Sequence, residues 1–191
     1  TKEGNLFVYE TLQRDLEALR AKYGDLGYAF ANVIPRTRIR EKDKLVDITF
    51  EIDKGNKVYI GEINVIGNSK TRDKVLRREL KILEVELYHE TRKRESISNI
   101  KRLGYFEEVN FNQKTRPNDP TKVDIDIVVK ERNTGTVQVG AGYSSFYGFV
   151  FNGQVSQINF LGKGQSLSAA LDYSKKQQMY KLSFTEPFFA D

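Results

Sequence analysis

Apolar residues recur along the chain with two distinct spacings. Near the N-terminus they follow one another at intervals of three or four positions, as on one face of a helix: Val8, Leu12, Leu16, Leu19 and Tyr23. Residues 29–39 have the weak alternation of a strand interrupted by Pro35, and residues 45–52 alternate between apolar and polar side chains. This part of the sequence therefore predicts one helix followed by two strands.

Residues 58–130 contain a second and complete unit of helices and strands. The pattern predicts, in order, a strand, two helices and two strands: residues 58–66, 72–80, 92–103, 109–114 and 123–130. Val46–Lys54 aligns with Val123–Glu131 at an offset of 77 residues, which indicates two copies of one β-α-α-β-β repeat. The first copy lacks its opening strand and helix, so we expect the chain to begin inside a domain.

The last third of the chain follows a different pattern. Four segments alternate apolar with small or polar residues, and turn-rich stretches separate them at 144–148, 161–165 and 174–177. Val137 and Val139 belong to the apolar set, whereas the opposite face carries Gly, Ser, Gln and Asn. This pattern predicts a meander of four antiparallel strands.

Composition changes at the same boundary. The chain of 191 residues has a formal net charge of +5, which by itself indicates no particular partner. Residues 1–132 contain 50 charged side chains and residues 133–191 only 7, and no Arg follows Arg132. The last 59 residues nevertheless carry 11 of the 22 Phe and Tyr. Such a split indicates two environments that meet near Asn133–Gly135.

The uncharged strands fit a membrane barrel better than the alternative, one layer of a soluble sandwich. Their polar face suits a water-filled lumen, and aromatic residues lie near strand ends, as in interfacial girdles: Tyr143, Phe160, Tyr173, Phe184 and Phe188. Four strands cannot close a barrel, and an open edge in lipid leaves backbone groups unpaired. We therefore expect the chain to stop inside a barrel and its free edges to pair with another copy. We expect no signal peptide and no spanning helix.

Few residues offer catalytic or metal-binding chemistry. The chain has no Cys, and its single His, His89, has no partner at metal-ligand spacing, so we expect no metal, cofactor or catalytic site. Gly67–Thr71 lacks the glycines of a phosphate loop and is interpreted as a turn with a helix start. Asp124 and Asp126 alternate with apolar residues, which predicts that both face solvent. Acidic residues flank the basic runs, so no nucleic-acid partner is expected.

Several motifs resemble the BamA family of outer-membrane β-barrel assembly factors. They are Gly67–Glu79, Arg102–Val109, Val129–Thr136 continuing into Val139–Tyr143, Asn159–Gly164 and Thr185–Phe189. The resemblance implies an α+β fold of tandem POTRA repeats, each β-α-α-β-β, followed by antiparallel strands from the start of a transmembrane β-barrel. Residues 1–54 would be the C-terminal part of the penultimate POTRA domain, residues 55–132 the last POTRA domain, and residues 133–191 about four barrel strands.

The resemblance also implies a function without catalysis, in which unfolded outer-membrane proteins are received in the periplasm and inserted by strand templating. A weakly paired first barrel strand would offer its backbone groups to incoming β-segments. The residues of this substrate-pairing edge would be Thr136, Val137, Gln138, Val139, Gly140, Ala141, Gly142 and Tyr143. Its two glycines would weaken the strand because they have no side chains to pack. The chain would lie in the outer membrane of a Gram-negative-type cell, with residues 1–132 in the periplasm.

Lipoprotein subunits of the assembly complex and outer-membrane lipid are further implied partners. In the family, an acidic residue in the first helix of the last POTRA domain contacts the lipoprotein through an ion pair. Glu79, next to Arg78, occupies the matching place, and the alternative for Glu79 is a solvated helix charge. Two alternatives to the family assignment stay open: another superfamily member, such as a two-partner secretion transporter or an autotransporter assembly factor, and a soluble α+β scaffolding module.

Overall fold

The computed structural model describes residue 4 and residues 6–189 of the chain. The helices are α1 (Tyr9–Asp25), α2 (Asp73–Arg77) and α3 (Glu90–Arg102). The strands are β1 (Asn32–Arg40), β2 (Leu45–Asp53), β3 (Tyr59–Ile66), β4 (Phe106–Arg116), β5 (Asp119–Glu131), β6 (Gly135–Ser144), β7 (Gly148–Phe160), β8 (Gln165–Ser174) and β9 (Gln178–Thr185). This order agrees with the predicted one. Within the described part of the chain, no helix combines the length and the apolar character needed to cross a membrane.

The described residues form two compact units, and each is considered by itself. The first comprises residues 6–64, 80–98 and 111–126, and the second comprises residues 65–79, 99–110 and 127–189.

In the first unit, α1 buries its predicted apolar face against the β1–β2 hairpin. Leu12 and Leu16 of α1 pack with Val33 of β1, and half-buried side chains of β2 complete this core. The two strands pair antiparallel from Asn32–Asp53 to Arg40–Leu45. Pro35 is tolerated inside β1 because this strand pairs on one side only in the described sheet.

The complete repeat contains a three-stranded sheet in the order β3-β5-β4. Alternate residues of its central strand are fully or almost fully buried: Val123, Ile125, Ile127 and Val129. The helix predicted at 72–80 is shorter in the structure, where α2 ends at Arg77. The side-chain amide of Asn99 donates to the backbone oxygen of Glu79 at 3.1 Å. This tertiary hydrogen bond satisfies a carbonyl beyond the helix end, so the chain can leave the helix early.

The prediction that Asp126 faces solvent is wrong. Asp126 is only 5% exposed, and its carboxylate accepts hydrogen bonds from Lys114 Nζ at 2.5 Å and from Asn64 Nδ2 at 3.2 Å. Asp124 is also partly covered, because Arg116 Nε donates to both of its oxygens. Both carboxylates do lie on the side opposite the apolar residues of β5. They are covered because β5 is the central strand, and long side chains of neighbouring strands reach over it.

The last four strands form one antiparallel meander in the order β6-β7-β8-β9, as predicted. Their register places apolar residues in continuous rows across the sheet, such as Val137–Val155, Val155–Ala169 and Ala169–Leu182. The neighbouring row on the opposite face contains Gln138, Gln154, Ala170 and Lys181. The sheet therefore has one apolar face and one face of mostly polar and small residues.

Candidate functional site

β6 is an edge strand with one exposed side. It pairs with β7 along its whole length, from Gly135–Gln157 to Ser144–Gly148, and has no strand partner on its other side among the described residues. Every residue of the predicted pairing edge, Thr136–Tyr143, is exposed. Such an edge presents unpaired backbone N–H and C=O groups, which another β-segment can bind.

The apolar face of this sheet is open in the described chain. Val139 of β6 is 86% exposed and Leu182 of β9 is 77% exposed. Phe149 and Tyr143 contact each other edge-to-face at the end of the sheet where β6 turns into β7, with ring centroids 5.3 Å apart. An apolar surface of this extent, bordered by aromatic rings, is suited to contact with lipid.

The two glycines of β6 differ in their surroundings. A Cβ added at Gly142 would meet no heavy atom within 4 Å. A side chain would therefore fit at this position, and the surface is uncovered there only because the residue is glycine. A Cβ at Gly140 would overlap the side-chain oxygen of Asn152 on β7, so the glycine leaves room for that amide. Both positions reduce the side-chain packing that would otherwise hold β6 on β7.

The two residues predicted to contact a lipoprotein are half-buried and adjacent at the end of α2. The guanidinium of Arg78 lies over the ring of Phe188, and its Nε and Nη2 are buried without a hydrogen-bond partner in the described structure. Glu79 is held through its backbone by Asn99, as described above. Whether either side chain contacts a lipoprotein stays a prediction.

A second arrangement lies at the other end of β7, where the sequence pattern predicts only a hairpin turn. The turn 159–164 joins β7 to β8 and contacts the loop 69–72 that precedes α2. The backbone N–H of Arg72 donates to the carbonyl of Gly162 at 2.9 Å, and Asn159 Nδ2 donates to Thr71 Oγ1 at 2.8 Å. The Tyr105 hydroxyl donates to the carbonyl of Gly164 at 3.2 Å.

Glu131, the last residue of β5, organises the loop from its other side. Its carboxylate accepts the backbone N–H groups of Lys70 and Thr71 at 2.6–3.1 Å and the hydroxyl of Ser69 at 2.8 Å. Burial acts to raise the pKa of Glu131, but the hydrogen bonds from Thr71, Ser69 and Lys70 outweigh it and lower the pKa. The loop is therefore held in one conformation by an ionised carboxylate.

Family models match three stretches of the chain. Residues 1–55 and 58–132 each match the POTRA family, described as a surface antigen variable number repeat. Residues 159–191 match the Omp85 superfamily domain.

Curated relatives extend this similarity over almost the whole chain. The outer membrane protein assembly factor BamA of Nitratidesulfovibrio vulgaris is 36% identical over 187 residues, which are 97% of this chain and 23% of that protein. The BamA of Neisseria meningitidis is 34% identical over 188 residues, covering 98% of this chain and 24% of that protein. The chain thus spans about a quarter of the length of these relatives.

A solved structure has the same fold. The crystal structure of BamA from Haemophilus ducreyi lacking POTRA domains 1–3 superposes with a TM-score of 0.85 at 35% sequence identity. The match covers 99% of this chain and 36% of that one.

Proposed function

This chain belongs to the BamA family of outer-membrane protein assembly factors, and we propose that it offers the free edge of β6 to unfolded β-segments of client proteins. Family membership places it in the outer membrane, with its POTRA repeats in the periplasm. In this proposal residues 1–54 are the C-terminal part of the penultimate POTRA domain, residues 55–132 are the last POTRA domain, and residues 133–191 are the leading barrel strands.

The observation that carries the proposal is that β6 begins the meander and, among the described residues, pairs with β7 alone. A client strand that adds to this edge exchanges backbone hydrogen bonds to water for hydrogen bonds to Thr136–Tyr143, and no cofactor or nucleotide is needed for that step. The weak side-chain packing at Gly140 and Gly142 lowers the cost of distorting β6 while a client strand docks.

The two faces of the sheet provide the two environments that an inserted barrel strand needs, lipid on one side and water on the other. Lipid covers the apolar face that includes Val139 and Leu182, while the face that includes Gln138 and Gln154 borders water. A client strand docked on β6 also has one face toward lipid and one toward water, because side chains alternate between the two faces of a sheet. Its own apolar residues therefore enter lipid as its backbone becomes paired.

Disulfide trapping tests the proposal in the full-length factor, in membranes, during assembly of a client barrel. The chain contains no Cys, so single cysteines placed along 136–143 report without background from this region. A second cysteine is moved along the terminal strand of the client. We expect disulfides whose partner position shifts by one residue for each step along β6, as strand pairing requires.

Cysteines at 178–185 in β9, the opposite edge of the same sheet, provide the matched control. Trapping there should be weak, because in the proposal β9 is followed by further strands of the same barrel. Equal trapping at β6 and β9, or trapping on β6 without any register, would contradict the proposal.

A further inference from the structure

We propose that Asn159 is a positioning residue, which ties the turn between β7 and β8 to the last POTRA repeat and thereby fixes where the β6 edge is presented. The inference rests on the proposed function of β6. We call the group formed by Asn159, Thr71 and Glu131 the turn latch. All three residues lie in the second compact unit.

Asn159 is well suited to this task because it is buried and uses both ends of its amide. It is 7% exposed; its Nδ2 donates to Thr71 Oγ1 at 2.8 Å, and its Oδ1 accepts the backbone N–H of Gly164 at 2.9 Å. Thr71 is 2% exposed and 88 positions away in sequence. One side chain therefore closes its own turn and binds the repeat, at a place where both Asn159 and Thr71 are almost fully buried.

The backbone conformation explains why Asn serves here. Asn159 has a φ of 60°, and the β7–β8 register shifts between Ile158 and Phe160, which places Asn159 in a bulge. Among residues with a side chain, Asn is one of the few that adopt this left-handed conformation readily. The bulge turns the amide out of the ladder and toward Thr71.

Thr71 is itself fixed by the repeat. Its backbone N–H donates to the Glu131 carboxylate at 2.6 Å. Next to it, the backbone hydrogen bond from Arg72 to Gly162 joins the same loop to the same turn. The latch therefore extends without interruption from the end of β5 to the end of β7.

The link to the β6 edge is short. β6 pairs with β7 over ten residue pairs, from Gly135–Gln157 onward, and Gln157 lies two residues before Asn159. The side-chain amide of Gln157 also donates to Thr134 Oγ1, just before β6 begins. A shift of the turn relative to the repeat therefore moves the start of β6 as well.

Three variants of the full-length factor in lipid nanodiscs separate the latch from general stability. Asn159→Gly keeps the left-handed backbone and removes both side-chain hydrogen bonds. Thr71→Val keeps the shape and removes the hydroxyl, whereas Thr71→Ser keeps the hydroxyl and serves as the control. The double variant measures the Asn159–Thr71 coupling.

Spin labels on cysteines at Lys101 in α3 and Lys175 in the β8–β9 turn, both exposed, report the distance between repeat and sheet. We expect the distance distribution to broaden in Asn159→Gly and Thr71→Val, with the ratio of latched to unlatched molecules falling roughly tenfold. Thr71→Ser should keep the wild-type distribution. The double variant should broaden it no further than the larger single effect.

The client-trapping experiment provides the second readout. In the two broadened variants, the disulfides between β6 and the client should lose their sharp register, although the factor is folded. Unchanged distance distributions, or broadened ones with unchanged client register, would overturn the role of Asn159. Failure of trapping in the wild-type factor would instead overturn the proposed function of β6, because the distance measurement requires no client.

Discussion

The guanidinium carbon of Arg78 lies 3.7 Å from the centroid of the Phe188 ring. Two of the guanidinium nitrogens are buried without a hydrogen-bond partner in the described structure, and the negative face of the ring interacts favourably with this partly buried charge. Gly164 leaves the space for it, because a Cβ there would overlap Nη2 of Arg78. Arg78 thus connects the end of α2 to the segment after β9.

Replacing Phe188 by Ala should therefore destabilise the folded chain. Loss of a cation–π contact at a partly desolvated site costs about 1–2 kcal/mol. Urea unfolding in detergent, followed by circular dichroism, measures the change. Phe189→Ala is the matched control, since Phe189 is 90% exposed, and it should change the free energy of unfolding by less than about 0.5 kcal/mol. Equal effects of the two substitutions would show that the stacking on Arg78 contributes nothing.

Gly162 should tolerate Ala less well than Gly148. Both glycines have a positive φ, 70° and 74°, in or beside a hairpin turn, so Ala at either place carries backbone strain of about 1–2 kcal/mol. A Cβ at Gly148 would meet nothing within 4 Å, whereas one at Gly162 would overlap the carbonyl oxygen of Lys70. Backbone must shift to relieve that overlap.

Hydrogen–deuterium exchange of the Arg72 amide, which donates to Gly162, distinguishes strain from displacement. We expect faster exchange in Gly162→Ala and unchanged exchange in Gly148→Ala, together with a larger loss of stability in Gly162→Ala. Unchanged protection of Arg72 in both variants would mean that the turn and the loop are not held together by this close approach.

Local sequence patterns predict much of this fold, and they fail where a contact over a long sequence distance decides. Alternation predicts all four strands of the meander and both faces of β6, because side-chain direction in a strand is a local property. It misplaces Asp126, since alternation does not reveal which strand is central. It also predicts an α2 that is too long. The hydrogen bond that lets the chain leave this helix early comes from Asn99, which is far from Glu79 in sequence.

The candidate site divides in the same way. The strand β6 and its two faces are predictable from one segment, whereas its assignment as the pairing edge rests on the family resemblance. The contact between Asn159 and Thr71 joins residues 88 positions apart, and neither neighbourhood indicates the other. The available signal was Asn159 at the start of a turn that contains two glycines, which indicates a tight turn without its partner.

Acid should weaken the complete repeat through Asp126. The hydrogen bond from Lys114, assisted by Asn64, lowers the pKa of Asp126 in the folded chain. A carboxyl whose pKa is lower in the folded state stabilises the fold above its unfolded pKa, about 3.9, and this contribution disappears as the pH falls through the folded value. Stability should therefore fall below about pH 4 in the wild type.

Asp126→Asn tests this assignment. The variant should be less stable than the wild type at neutral pH and approach it under acid, because the ion pair with Lys114 is then lost in both. Hydrogen–deuterium exchange of β5 amides in a pH series, corrected for the intrinsic exchange rates, measures the difference. Asp43→Asn, in the exposed β1–β2 turn, should keep the wild-type pH dependence. If Asp126→Asn keeps the wild-type pH dependence, the ion pair between Asp126 and Lys114 is not the cause of the loss of stability under acid.

Charge reversal at Glu79 tests the contact with a lipoprotein subunit. Glu79 is half-buried, and its backbone, not its carboxylate, bonds to Asn99, so a substitution leaves that hydrogen bond in place. If Glu79 pairs with a cation of the lipoprotein, Glu79→Lys converts that attraction to repulsion and should reduce co-purification of the lipoprotein at least about tenfold, and Glu79→Gln should have a smaller effect. Glu41→Lys, in the exposed β1–β2 turn, changes the net charge equally and should leave co-purification intact. Wild-type recovery of the lipoprotein with Glu79→Lys would mean that Glu79 is a solvated charge beyond the end of α2. A restored interaction with an acidic substitution in the lipoprotein would identify the partner cation.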